Sequence, residues 1–212
     1  MTSADKRYKL FGMNKRVKNP ARSRKILLES ALREIHHMGY KAASVTNILA
    51  NTGLTRGALY HHFPNKRALG FAALEGIEEQ IRATWINRLL PCEDPISTLQ
   101  EMVRTDCSQL ADEDIALGCP LNNLAQEMSA LDDEFRQRVV QIYNTWRQAI
   151  ADSLRKGQQQ GTVNKAIDPV STATFLVASL SGGRGLAKTA QSAEMLAVCT
   201  DNLARYLETL RP

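Results

Sequence analysis

The chain has 212 residues, 43% of them apolar and 23% charged, enough to bury a core without disulfides or metals. Its longest apolar run is five residues, Met195 to Cys199; a membrane span needs roughly 20, so no membrane partner is expected. The net charge of +5 hides an asymmetry: residues 1–70 hold 14 Lys and Arg against 3 Asp and Glu, residues 71–212 hold 13 against 19. A basic N-terminal third on an acidic remainder suits a module for a polyanion, carried by a body that avoids one.

Periodicity near 3.6 residues runs through nearly every segment, and no stretch alternates with period two, so the expected fold class is all-α. Residues 1–19 carry six Lys and Arg and one Asp, a basic arm expected to lack order; it has no apolar h-region, which points to the cytoplasm. Met13 is a second candidate start. Asn19-Pro20 reads as an N-cap followed by proline at the first helical position. Leu27, Leu28, Ala31, Leu32 and Ile35 share the inward face of that helix, which Gly39 ends. Ser44 caps a short second helix stopped by Gly53. A third runs from Thr55 to Phe63-Pro64, and Asn65 caps a fourth that extends to Leu90 before Pro91. Further helices are expected over Pro95 to Leu110, Pro120 to Ala130, Asp132 to Gln160, about 170–188 and 192–210. The organisation expected is an arm (1–19), a three-helix DNA-binding domain (20–81, its helix-turn-helix at about 44–63) and a helical body (82–212).

The strongest local signal is Val45 to Phe63, VTNILANTGLTRGALYHHF. Two short helices joined by a tight turn at Gly53, with a third before them, form a helix-turn-helix arrangement whose second helix enters the major groove by its N-terminal end. Thr55 and Arg56 bring a hydroxyl and a guanidinium to phosphates or base edges. Gly57 and Ala58 let the helix sit deep, and Tyr60 and His61 point outward. Lys66 adds its charge to the N-terminus of the next helix, as a phosphate clamp. Thr46 completes the expected DNA-contacting set.

At these residues the sequence resembles the TetR family of transcriptional regulators. Gly53-Leu54-Thr55-Arg56-Gly57-Ala58-Leu59-Tyr60-His61-His62-Phe63-Pro64-Asn65-Lys66-Arg67-Ala68-Leu69 is similar to that family's G-V-S-x-G-x-L-Y-x-H-F-x-x-K-x-x-L pattern, and Gly39-Tyr40 and Val45-x-x-Ile48 match upstream. Two residues depart from it. Leu49 stands where alanine is usual, altering how the two helices pack, and Arg67 stands where an acid is usual, making the DNA face more basic. Gly118-Cys119-Pro120-Leu121-Asn122-Asn123-Leu124-Ala125-Gln126-Glu127 resembles a G-C-x-x-x-N-L-x-x-E stretch of some members, which there lies beside a ligand cavity. The resemblance implies a homodimer built on the last two long helices, with Phe175, Ser179, Gly182, Gly183, Leu196, Leu203 and Leu207 as interface candidates. Arg184 and Lys188 sit oddly for a dry interface.

The cavity expected from that resemblance draws on Trp85, Met102, Cys119, Asn122, Asn123, Trp146 and Phe175, although apolar residues at helical spacing also describe plain core. The pairs His36-His37 and His61-His62 diverge by about 100° around a helix and do not converge on one ion, so no metal and no cofactor is expected. Cys92, Cys107, Cys119 and Cys199 form no C-x-x-C pair and read as free thiols. Cys119, near a helix start, is also a candidate electrophile or redox sensor. No phosphate-cradling glycine loop or nucleophile elbow supports an enzyme, and the acidic body disfavours an effector-independent architectural protein. The reading is a dimeric repressor released from a palindromic operator in double-stranded DNA by a small-molecule effector.

Overall fold

The computed structural model describes residues 19–212 apart from Asn51 and Gln109; the expected basic arm, except Asn19, lies outside them. The elements are α1 (Pro20–Met38), α2 (Val45–Ala50), α3 (Arg56–His62), α4 (Lys66–Ile81), α5 (Asn87–Leu89), α6 (Pro95–Ser108), α7 (Asp112–Leu117), α8 (Pro120–Met128), α9 (Asp133–Gln160), α10 (Pro169–Ala190) and α11 (Ala193–Glu208). No strand occurs among the described residues.

Side-chain caps set several starts. Asn19 Oδ1 accepts from Arg22 N at 3.1 Å, Thr55 Oγ1 from Ala58 N at 3.2 Å, and Asn65 Oδ1 from Ala68 N at 2.8 Å. Asp132 and Asp168 do the same for α9 and α10. Each cap satisfies a backbone donor that the first helical turn leaves free. α7, absent from the sequence expectation, opens on Asp112, Glu113 and Asp114, three carboxylates on the positive end of a helix dipole. The expected single helix from Asn65 to Leu90 is interrupted: Arg82–Ile86 form a π-helical turn between α4 and α5.

Three main clusters and a smaller one of Ile115, Ala187 and Leu196 hold the described residues together. Leu27, Ala31, Ile48, Leu59, Phe63, Leu69 and Ala72 bind α1 to α4 into an N-terminal module. Half-buried Leu49, the departure from the family pattern, packs against this core with Val45 and Leu54. A second cluster, with Ile35, Leu74 and Ile77 against Leu121, Leu124, Phe135 and Ile142, joins that module to α8 and α9. The third fills the body between α6, α9, α10 and α11. α4 contributes to the first two, so it is shared between module and body rather than followed by a loose linker.

Candidate nucleic-acid interface and effector cavity

α3 is held by Leu59 and Phe63, which are 1% and 2% exposed, and this leaves the opposite face to solvent. Thr46, Thr55, Arg56, Gly57, Tyr60 and His61 are exposed, and Ala58 is half-buried. The Thr55 oxygen accepts from Ala58 N, so its proton stays free to donate to a phosphate. Gly53 makes the turn at φ +64, a left-handed conformation that side chains disfavour. Among the described residues no ion pair engages Arg56. Pro20 and Ser23 at the start of α1 face Gly53, Gly57 and His61 across a groove of about 560 Å³.

Two basic residues do more than the sequence suggests. Lys66 Nζ donates to Lys41 O at 2.8 Å and lies 5.4 Å from the Tyr40 ring centroid, tying the start of α4 to the α1–α2 turn. Arg67 does not extend the DNA face. Its Nη2 pairs with Asp132 at 3.0 Å and Glu134 at 2.8 Å, and its guanidinium stacks on Phe71. Two carboxylates at the start of α9 draw it toward the body. Glu127 on α8 makes a second clamp: its oxygens accept from Tyr40 N and Lys41 N, both at 2.7 Å.

Between module and body lies a cavity of about 460 Å³. His36 of α1, Ile77 and Ile81 of α4, and Trp85 of the π turn face Cys119, Leu121, Trp146 and Arg184 across it. His36 Nε2–H donates to the Gly118 carbonyl at 3.0 Å, and Arg184 Nη2 donates to the same oxygen at 3.0 Å. Burial holds the His36 pKa below its usual value, assisted by the charge of Arg184 and opposed by the Gly118 bond.

Trp85, Cys119 and Trp146, expected from sequence, line this cavity. The others do not. Met102 is fully buried in the body core. Asn123 donates to Leu117 O at 2.8 Å and accepts from Lys188, while Asn122 borders a separate surface groove with Val140 and Gly182. Phe175 is 49% exposed and meets Tyr206 edge-on at 4.8 Å. His36, Gln80, Thr84, Asp114 and Arg184 line the cavity as well, outside the expected set. Of these, Arg184 stands out in the sequence as a cation out of place on an apolar helix, and His36 only as one of a histidine pair.

The interface candidates divide likewise. Leu196, Leu203 and Leu207 are at most 5% exposed within the single chain, so they pack α11 onto its own protomer and are not a contact surface. A Cβ at Gly183 would lie 3.0 Å from Cys199 Cβ, so this glycine serves the close approach of α10 and α11. Gly182 faces open space and Ser179 is half-buried. The exposed apolar side chains of the pair are Val170, Phe175, Leu186, Met195 and Val198.

Residues 27–73 match the family described as bacterial regulatory proteins, tetR family, and residues 95–203 match the tetracyclin repressor-like C-terminal domain. The chain belongs to the TetR family. It is a DNA-binding transcriptional regulator and not an enzyme. It is 30% identical over 149 residues to the transcriptional regulator AcuR of Cereibacter sphaeroides, a match covering 68% of this chain and 66% of that one. It is 28% identical to the HTH-type transcriptional regulator LmrA of Bacillus subtilis, over 82% of this chain and 90% of that one. A TetR transcriptional regulator from Chloroflexus aurantiacus superposes with a TM-score of 0.77 at 25% identity, covering 89% of this chain and 96% of that one. Among the described residues of this regulator, no group of three His, Cys, Asp or Glu could hold a metal ion, and no helix is long and apolar enough to cross a membrane.

Proposed function

We propose that this regulator is a cytoplasmic homodimeric repressor that leaves a pseudo-palindromic operator when a small organic effector fills the cavity beside Cys119. The observation that carries the reading is the make-up of the cavity wall. His36 sits on α1 and Ile77 and Ile81 on α4, helices of the N-terminal module, while Cys119, Trp146 and Arg184 belong to the body. An occupant therefore touches both parts at once. It can shift the balance between two arrangements to the extent that it binds one better than the other. In this reading residues 20–81 bind DNA and residues 82–212 bind the effector and the second protomer.

Thr46, Thr55, Arg56, Gly57, Ala58, Tyr60 and His61 form the DNA-facing surface, with Lys66 on its border. The exposed faces of α10 and α11, with Phe175, Ser179 and Gly182, meet the partner, and this places two recognition helices on one face of the duplex. The test is selection of a duplex from a random library, followed by release of the bound duplex during a metabolite screen. A metabolite that raises the melting temperature and frees the duplex supports the reading; tight binding that no stabilising ligand relieves refutes it.

A second reading is favoured by the place of Cys119 on the cavity wall: the thiol itself is the sensor, alkylated or oxidised by an electrophile. A Cys119→Ser variant separates the two. If alkylating agents release the wild type and leave the variant bound, the thiol reading holds. If a ligand releases both alike, the effector binds non-covalently.

A further inference from the structure

Arg184 belongs to α10, a helix rich in apolar and small residues, yet among the described residues no ion pair engages its guanidinium. Among the described residues its one side-chain hydrogen bond goes to the Gly118 carbonyl, at 3.0 Å. A guanidinium has five N–H donors in a planar fork, and a neutral carbonyl is a weaker partner for it than a carboxylate. The remaining donors border a cavity whose apolar wall is Ile77, Ile81, Trp85, Leu121 and Trp146, with Gln80 and Thr84 among its polar lining. His36, half-buried on the opposite helix, offers its Nε2–H to the same carbonyl. Asp114, the acidic member of the lining, is exposed and stands at the end of α7 that faces solvent.

We propose that the cavity takes a small organic monocarboxylate, its oxygens held by the Arg184 fork and its apolar body against Trp85 and Trp146. This rests on the effector reading above and names the ligand's chemical class. The one cationic group set against apolar walls selects a ligand with a charged head and an apolar body. The exposed acid at Asp114 disfavours a second negative charge. A carboxylate that engages the fork bidentately through Nη2 competes with the Gly118 carbonyl for that donor. That carbonyl lies in the α7–α8 turn, where Gly118 has φ +76 and any Cβ would lie 3.0 Å from Lys188 Cδ. The same turn leads into α8, whose Glu127 grips the α1–α2 turn. Binding thus exchanges a bond that ties α10 to the start of α8 for one to the ligand.

The experiment titrates full-length protein with benzoate and hexanoate, and separately with benzamide and hexanamide, following the emission of the two wall tryptophans. The operator duplex obtained by selection is followed in parallel by anisotropy. The acids are expected to bind at least about tenfold tighter than the matched amides, a difference of about 1.4 kcal/mol. Arg184→Gln is expected to abolish that preference, and Arg184→Lys to keep it in weakened form, since lysine retains the charge without the fork. Circular dichroism checks that both variants keep their helices. Equal binding of acid and amide overturns the proposal, as does an acid preference that survives Arg184→Gln. So does the absence of any acid binding below about 10 mM, well past the millimolar range of weak ligands. Release of the duplex by a neutral compound alone would remove the carboxylate and leave the effector reading standing. Binding of benzoate without release would support the site and remove the effector reading.

Discussion

Replacing Glu127 with alanine removes both acceptors that hold the α1–α2 turn to α8. The bonds from Tyr40 N and Lys41 N are 2.7 Å each, and a hydrogen bond to a charged group contributes about 1.5–3 kcal/mol where water is excluded. Lys41 is exposed, so water replaces most of what its N–H loses; Tyr40 is half-buried and keeps a larger share. A net loss of about 2 kcal/mol follows, equivalent to a fall of roughly 4–8 °C in melting temperature for a chain of this size. Glu127→Gln keeps an uncharged acceptor and should lose about half as much. The clamp spans module and body, so Glu127→Ala should also bind its operator more weakly while its cavity still takes ligand. Thermal unfolding by circular dichroism and anisotropy on the selected duplex measure the two effects. An alanine variant with unchanged melting and unchanged operator affinity would refute the reasoning.

Arg56→Ala should lose discrimination at one base pair, worth roughly 1–3 kcal/mol, whereas Tyr60→Ala should weaken binding to all sequences alike; competition binding against point-mutated duplexes distinguishes them. His36 titrates below the usual imidazole value because burial, aided by Arg184 and His37, outweighs the help of Gly118 O and Asp114. The unfolded chain then binds the proton more readily, so stability present above the ordinary pKa of 6.5 is lost as pH falls through that value toward the folded pKa. His36→Gln should flatten that part of a melting-temperature profile against pH, and an unchanged profile would contradict it. Gly182→Trp should shift sedimentation toward the monomer and abolish operator binding, because that position faces open space. Gly183→Trp should fail to fold, since Cys199 already fills the room.

Much of the fold was legible because its signals are local. Asn19 and Asn65 read as caps from their own sequence neighbourhoods and act as caps. The exposed face of α3 followed from Leu59 and Phe63 being four residues apart. What escaped depends on partners distant in the chain. Arg67 looked like added charge for DNA until Asp132 and Glu134, 65 and 67 residues on, proved to be its partners. Leu196 and Leu203 were as apolar as an interface requires, but periodicity cannot say whether the neighbour is the same chain or another. His36 was set aside as one of a histidine pair, and only the approach of Gly118, 82 residues away, gives it a role.

The π-helical turn at Arg82–Ile86 gives the molecule a reserve of length. Such a turn takes up one residue more than an α turn over the same path, so the helix between module and body carries a surplus residue that its end points do not need. Deleting the exposed Ala83 could therefore be absorbed by converting the segment to regular α-helix. Without that surplus, the same deletion would rephase everything beyond it by about 100° at 3.6 residues per turn. Trp85 and Leu89 would leave the faces that now seat them in the body. The phase of this one turn thus decides which side chains wall the cavity, independently of their identity.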